Sequence, residues 1–200
     1  VLLAAFSTTG FPQTKKSDSV LTELDHVENK NCQSETISDF SILPVFLLKC
    51  EGVGGYKLEL TSYGGTSSSL SVVSPNGQKH TIEYFENIGY GALVAGKVEW
   101  RVHREGNKVK AFALIVEFEN IEDLESLERV SYLSVIKLTP GSVCLTDAVK
   151  ATSTQQMRFR GLADAAPRKP CLKSSQDDSF LKKLEGDISF LIYTLAAGDE

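Results

Sequence analysis

Apolar and polar positions alternate with a period of two through much of the middle of the chain, which predicts β-strands with one buried and one wet face. From Tyr56 to Leu60 every second residue is apolar. A second run, Ser69–Val73, is followed by Pro75-Asn76-Gly77, and a return strand begins near His80. Proline at one turn position and Asn-Gly at the next favour a chain reversal. The pattern therefore predicts antiparallel neighbours.

The clearest hairpin comes next in the chain. Lys97–Arg104 alternates with Trp100 on its apolar face, and Glu105-Gly106-Asn107 then turns the chain into a partner strand over residues 108–118. Within that partner, residues 111–116 are apolar without alternation, which predicts a central strand covered on both sides. Further strands are predicted over Ser131–Leu138 and over Val143–Leu145.

Two helices are predicted after the strands. Apolar residues recur at helical spacing between Gln155 and Ala166, and again over residues 179–197, where Ser179 can cap the start and Gly198 can end the helix. The fold predicted is α+β and mostly β: an antiparallel twisted sheet or sandwich over about residues 50–146, with two C-terminal helices on one face. The second helix could instead form a dimer seam, but we expect it to pack on the sheet of a monomer.

The N-terminal segment differs from the rest. Val1–Ser7 is apolar and rich in small residues, like the tail of a secretory signal. We expect residues 1–25 to be a signal-peptide remnant and flexible leader, with a buried N-terminal strand as the alternative, and residues 26–200 to form one domain. A chain of 200 residues, 42% hydrophobic, is long enough for one core.

Charge and hydropathy argue against a nucleic-acid-binding protein and against a protein with a membrane-spanning helix. A net charge of −5 and a pI near 5.3 argue against nucleic-acid binding, which needs clustered Lys and Arg. No apolar run reaches the roughly 20 residues of a membrane-spanning helix.

Four cysteines, Cys32, Cys50, Cys144 and Cys171, contain no C-x-x-C pair, which argues against a zinc site. Disulfides are the preferred use, and free thiols in a reducing compartment are the alternative. Of the three possible pairings, the local one closes two short loops and leaves the middle of the chain free to form a sheet.

The sequence contains no complete catalytic or phosphate-binding motif in the structural context that such a motif requires. Gly91–Lys97 matches the start of a phosphate-binding loop, but Val98 and a strand follow where Ser or Thr and a helix are required. No Gly-x-Ser-x-Gly elbow is present. The acidic residues around His26 could hold a divalent ion, but such a cluster is more typical of a solvated segment. We therefore expect no catalytic residues, no cofactor and no metal.

A recognition surface remains possible, because tyrosine and arginine are common interface anchors. The candidate binding residues are Tyr63, Tyr84, Tyr90 and Arg101. The function expected is that of an exported, non-enzymatic binding or interaction protein, whose partner is an unidentified protein or small ligand of the cell envelope. Two alternatives are a structural envelope component and a hydrolase.

A hydrolase would need a site assembled from scattered residues. Asp147 or Glu99 together with a histidine, His80 or His103, could supply it. A pocket that gathers these groups would favour that alternative over a binding protein.

Several short motifs occur in a characteristic order: Cys50-x-Gly52-x-Gly54-Gly55-Tyr56, Glu99-Trp100-Arg101, Ala113-Leu114-Ile115-Val116, Gly141-x-Val143-Cys144 and Leu162-Ala163-Asp164 before Cys171. Together they resemble an uncharacterised family of bacterial exported proteins, over roughly residues 30–172. The resemblance implies a periplasmic or secreted protein, supports the local disulfide pairing and implies no activity. The predicted helix after Lys173 departs from the family pattern.

Overall fold

The computed structural model describes residues 17–24, 30–38, 44–63, 67–82, 93–121, 128–152 and 156–172. Strands make up 69% of this part of the chain, so the predicted mostly-β, antiparallel class is confirmed. The elements are β1 (Ser17–Glu23), β2 (Cys32–Ser38), β3 (Val45–Glu51), β4 (Lys57–Tyr63), β5 (Ser67–Val73), β6 (Lys79–Thr81), β7 (Leu93–Glu105), β8 (Lys108–Ile121), β9 (Arg129–Thr139), β10 (Ser142–Lys150), the helix α1 (Gln156–Ala165) and a 3-10 turn (Ala166–Arg168).

The strands form two five-stranded sheets. Sheet I has the order β1-β7-β8-β9-β10 and sheet II the order β2-β3-β4-β5-β6, and neighbouring strands are antiparallel in both. Buried residues of the two sheets form one shared cluster: Cys32, Cys50, Tyr56, Leu58, Leu70, Val72 and Ile82 from sheet II and its turns, with Val98, Trp100, Val102, Ala111, Leu114, Val116, Phe118, Ile136, Leu138 and Leu145 from sheet I. The fold is therefore a sandwich whose main core lies between the sheets.

Trp100 lies at the centre of this core with no exposed surface. Its indole Nε1 donates a hydrogen bond to the Thr22 hydroxyl at 2.9 Å, so the polar end of the ring is satisfied. Gly52 packs against the ring, because a Cβ at that position would lie 2.5 Å from a ring carbon of Trp100. Gly52 is therefore required for close approach to the ring, whereas Gly54 and Gly55 in the same turn, at φ 67° and 84°, serve the chain reversal.

The second face of sheet I is covered by α1. Phe112, Ala113, Ile115 and Val135 pack there against Phe159, Ala163 and Ala166 of the helical segment. A bulge in β8 adjusts the strand to its two faces: Arg101 pairs with Ala113 and Val102 with Ala111, which leaves Phe112 without a partner on β7. The predicted central strand, covered on both sides, is confirmed.

The prediction of two C-terminal helices is not confirmed, since the described residues contain one α-helix. The first predicted helix is observed as α1, Gln156–Ala165. The second, over residues 179–197, lies outside the described residues. The helical periodicity near Phe159 identified α1 correctly because one face of the helix is buried.

The sheets extend beyond the predicted limits of about residues 50–146. β1 lies inside the segment expected to be a leader, and it pairs with β7 from Ser17↔His103 to Glu23↔Lys97. β2 and β3 also precede the predicted start, and β10 continues to Lys150. β1 and β2 carry few apolar residues because each is an edge strand, so the alternation that reveals a half-buried strand is weak in them.

Both disulfides of the local pairing are present. Cys32 and Cys50 are directly opposed on β2 and β3 and are buried, at 5% and 3% exposure. Cys144 on β10 is bonded to the exposed Cys171, which follows α1. One bridge therefore reinforces the edge of sheet II, and the other ties the chain beyond α1 to the edge of sheet I.

Candidate ligand-binding site

A buried arginine connects α1 to sheet I. Arg101, on β7, is only 5% exposed, and its guanidinium donates from Nε and Nη2 to the two carboxylate oxygens of Asp164, on α1, at 2.9 and 3.1 Å. The remaining donors reach β1: Nη2 bonds the Ser17 hydroxyl at 2.8 Å and Nη1 bonds the Ser19 hydroxyl. Two parallel bonds to one carboxylate fix both position and angle, so this contact sets the orientation of α1 on the sheet.

A second ion pair of the same form lies beside the first. Arg160, one turn earlier on α1, donates from Nε and Nη2 to the two oxygens of Glu99 at 2.8 and 3.2 Å. Glu99 also accepts a hydrogen bond from the Ser19 hydroxyl. Helix α1 is therefore fastened to β7 by two charged contacts of opposite polarity, one with the arginine on the strand and one with the arginine on the helix.

The environment of Glu99 favours its ionised form. Burial alone would raise the pKa of this carboxyl, but hydrogen bonds from Arg160 and Ser19 and the positive charges of Arg160 and Arg101 outweigh burial and hold the pKa below its ordinary value. The same contact raises the pKa of Arg160. Both groups are charged at neutral pH, and a carboxylate so firmly paired is a poor general base.

A smaller polar cluster holds the far end of the helical segment. The ammonium group of Lys137 donates to the Lys169 carbonyl at 2.9 Å, and the Lys169 ammonium pairs with Asp147 at 2.6 Å. The Cys144–Cys171 bridge lies next along the chain. These contacts attach the residues after α1 to β9 and β10, so the helical segment is held at both ends.

A cavity of about 240 Å³ opens between the N-terminal half of α1 and sheet I. It is bounded by Leu21, Lys97, Val98, Glu99, Ile115, Glu117, Leu133, Phe159 and Arg160. Ile115 and Phe159 are buried and form an apolar floor, whereas Leu21 is 59% exposed at the mouth. Among the lining residues, Leu21 and Leu133 keep apolar surface open to water, and a ligand that covers them would remove that surface at about 25 cal/mol per Å².

The charges around the cavity fall into two sets. Glu99 and Arg160 are bonded to each other. Lys97 and Glu117, in contrast, form no ion pair or side-chain hydrogen bond with any other residue in the described ranges. Within the described ranges, the site thus presents an ammonium group and a carboxylate without ion-pair partners beside apolar side chains.

Comparisons of the chain with protein-family models, with curated proteins and with solved structures found no match. A function must therefore be inferred from the chemistry of the residues themselves.

The candidate binding residues from the sequence do not form one surface. Tyr63 ends β4 on sheet II and is 45% exposed, whereas Arg101 is buried in sheet I against α1. Tyr84 and Tyr90 lie outside the described residues. Arg101 acts in the structure as a helix anchor, and the alternation that marked it as facing away from Trp100 could not show that α1 covers that face.

The residues of the hydrolase alternative are also separated. Asp147 is paired with Lys169 and Glu99 with Arg160. His103 stacks on Phe112 at a centroid distance of 4.3 Å, and His80 lies on β6 in the other sheet. Among the residues described, neither carboxylate is brought to a histidine.

The described part of the chain contains no group of three or more His, Cys, Asp or Glu residues arranged to hold a metal ion. No helix in it is long and apolar enough to cross a bilayer. The two disulfides indicate an oxidising compartment.

Sequence reasoning missed Lys97, Ile115 and Glu117 as site residues. The sequence pattern that could have identified them is that they share one face of the hairpin. They project from β7 and β8 on the side opposite Trp100, where the apolar Ile115 lies between charged residues. An isoleucine at such a position indicates that something covers the face.

Proposed function

We propose that this chain is an exported, non-enzymatic binding protein, periplasmic or secreted, that takes a small ligand between α1 and sheet I. The observation that carries the proposal is the 240 Å³ cavity with its apolar floor and unpaired rim charges. The two disulfides support export, because such bonds persist in oxidising compartments.

The walls of the cavity suit a preorganised site. One wall is the Glu99–Arg160 pair, in which two hydrogen bonds fix the arginine, and the helix that carries Arg160 is anchored again by Asp164. A site built on a helix and four paired strands loses little conformational entropy when a ligand enters. Rigid walls therefore favour binding over an induced closure.

The cavity opens on an otherwise well-packed face. Further along the helical segment, Ala163 of α1 and Ala166 of the 3-10 turn are fully buried against the sheet, so small residues bring the two surfaces into contact there. Beside Leu21, which is 59% exposed, and the half-buried Leu133, the surfaces separate and leave space. Because apolar surface left uncovered beside a packed interface often marks a binding site, the separation supports a ligand-binding role.

The test is a ligand screen read by NMR. A panel of small metabolites, both polar and apolar, is added to ¹⁵N-labelled protein, and amide shifts are followed. We expect at least one class to shift amides at Val98, Ile115 and Phe159, and Leu133→Trp, which fills the cavity, to abolish the shifts. Ile37→Trp is the matched control, because Ile37 is 53% exposed on β2 of sheet II.

Two results would count against a binding role at this site. One is a panel that shifts no amide around the cavity at millimolar concentration. The other is binding that survives Leu133→Trp unchanged while that variant retains the native circular dichroism spectrum.

A further inference from the structure

We infer that the ligand of this cavity is a free apolar α-amino acid of the size of leucine, an inference that rests on the binding role proposed above. Such a ligand carries an ammonium group, a carboxylate and an apolar side chain. The cavity offers a partner for each: Glu117, Lys97 and an apolar lining in which Leu21 and Leu133 keep surface open to water.

The volume limits the size of the ligand. An apolar protein cavity of about 150 Å³ binds benzene. By the same scaling, a cavity of about 240 Å³ holds roughly ten non-hydrogen atoms. Leucine, isoleucine and methionine are of this size, whereas a nucleotide, a lipid or a disaccharide could enter this open cavity only in part.

The charges limit the chemistry of the ligand. Four charged side chains border the cavity, Lys97, Glu99, Glu117 and Arg160, and they sum to zero. The Glu99–Arg160 pair is mutually satisfied, so Lys97 and Glu117 remain to meet a ligand. A purely anionic or cationic ligand would leave one of these two groups facing a like charge, whereas a zwitterion complements both.

The geometry of the hairpin separates the two groups. Lys97 is on β7 and Glu117 on β8, and both project to the helix-covered side of sheet I. They do not pair with each other within 4 Å, although both border the same cavity. An amino acid can therefore place its two charged groups between them and direct its side chain down to the floor.

Arg160 supplies a further contact for the carboxylate. Its Nε and Nη2 donate to Glu99, and Nη1 has no partner among the described residues, so it can donate to a carboxylate in the cavity that Lys97 also borders. Glu99 holds the plane of that guanidinium fixed, which makes the contact directional.

The experiment uses three compounds that differ by one group: L-leucine, isocaproate, which lacks the ammonium group, and isoamylamine, which lacks the carboxylate. Affinities are measured by titration calorimetry at neutral pH. We expect leucine to bind at least about tenfold more tightly than either analogue, since each loses one charge-assisted hydrogen-bonded contact.

Two variants identify the residue that meets each group. Glu117→Gln should reduce leucine and isoamylamine binding about tenfold without weakening isocaproate binding. Lys97→Gln should reduce leucine and isocaproate binding about tenfold without weakening isoamylamine binding. Glu119→Gln is the matched control: Glu119 is on the same strand but pairs with Arg129 away from the cavity, so all three affinities should stay unchanged.

Several outcomes would overturn the inference. They are equal affinity for leucine and either analogue, loss of all three affinities in Glu117→Gln, and equal affinity for the dipeptide Leu-Gly, which would indicate a peptide end instead. If leucine and its analogues do not bind while other small molecules still shift the cavity amides, the inferred ligand class is wrong but the proposed binding role is retained. If no compound binds there, both are wrong.

Discussion

The carboxylate of Asp164 on α1 accepts two hydrogen bonds, of 2.9 and 3.1 Å, from the guanidinium of Arg101 on β7, 63 residues earlier in the chain. Asp164 is one residue from the end of α1, where the helix dipole disfavours a negative charge. The contact with Arg101 therefore outweighs this unfavourable interaction with the helix dipole, and it stabilises the packing of α1 on sheet I.

Replacing Asp164 tests the weight of this contact. Asp164→Ala leaves the buried guanidinium of Arg101 with only Ser17, Ser19 and a more distant Glu99 as partners. We expect a loss of about 2 kcal/mol in the free energy of unfolding, measured by urea denaturation. Asp18→Ala, which breaks an exposed pair with Arg104, should cost about 0.5 kcal/mol or less. Equal losses in the two variants would contradict the assignment.

The depressed pKa of Glu99 predicts a pH dependence of stability. Since the folded pKa lies below that of glutamate in the unfolded chain, the carboxylate contributes stability above about pH 4.3. That stability is lost as the pH falls through the lower folded pKa. Denaturation curves should show a shallower loss on acidification for Glu99→Gln than for the unmodified protein. Parallel curves for the two proteins would show that Glu99 is not the group responsible.

The close approach of Gly52 to Trp100 predicts a severe effect of a single methyl group. Gly52→Ala would place a Cβ 2.5 and 2.7 Å from two ring carbons and 2.7 Å from the Tyr56 carbonyl. Backbone and ring must both shift, so we expect a loss of about 2 kcal/mol or more by urea denaturation. Gly141→Ala is the control, because no atom lies within 4 Å of its Cβ. A neutral Gly52→Ala would mean that the turn relaxes freely.

The two disulfides differ in access to a reductant. Cys171 is exposed, whereas Cys32 and Cys50 are almost completely buried. Under limiting dithiol, alkylation and peptide mass mapping should find Cys144 and Cys171 modified before the other pair. The Cys144→Ser, Cys171→Ser double variant should lose roughly 3 kcal/mol of stability. Simultaneous modification of all four thiols would indicate global unfolding instead of selective access.

Much of the sandwich could be predicted from local patterns. The β7–β8 hairpin followed from alternation around Trp100, and the two-sided burial of β8 followed from its unbroken apolar run at residues 111–116. Both signals are strong because burial imposes them directly on the sequence. β1 was not predicted because its composition is polar, like that of a leader. Two of its polar residues, Ser17 and Ser19, accept hydrogen bonds from Arg101.

The candidate site could not be predicted in the same way. It forms where α1 crosses sheet I, and its residues come from four strands and the helix. Periodicity assigns Lys97 and Glu117 to a face, but it does not show what covers that face or where the cover ends. The sequence indicates Arg101 as a candidate binding residue, but its contact with Asp164 can be found only once the position of the helix is known.

The placement of Trp100 also has an optical consequence. It is the single tryptophan of the chain, it is wholly buried, and it contacts residues of both sheets. Its fluorescence should therefore be emitted at short wavelength while the sheets stay together and shift to the red when they separate. Because the indole faces the inter-sheet core and the proposed ligand enters on the opposite side of β7, occupancy should leave that emission unchanged. The fluorescence of Trp100 should thus report on unfolding of the protein and not on occupancy of the proposed ligand site.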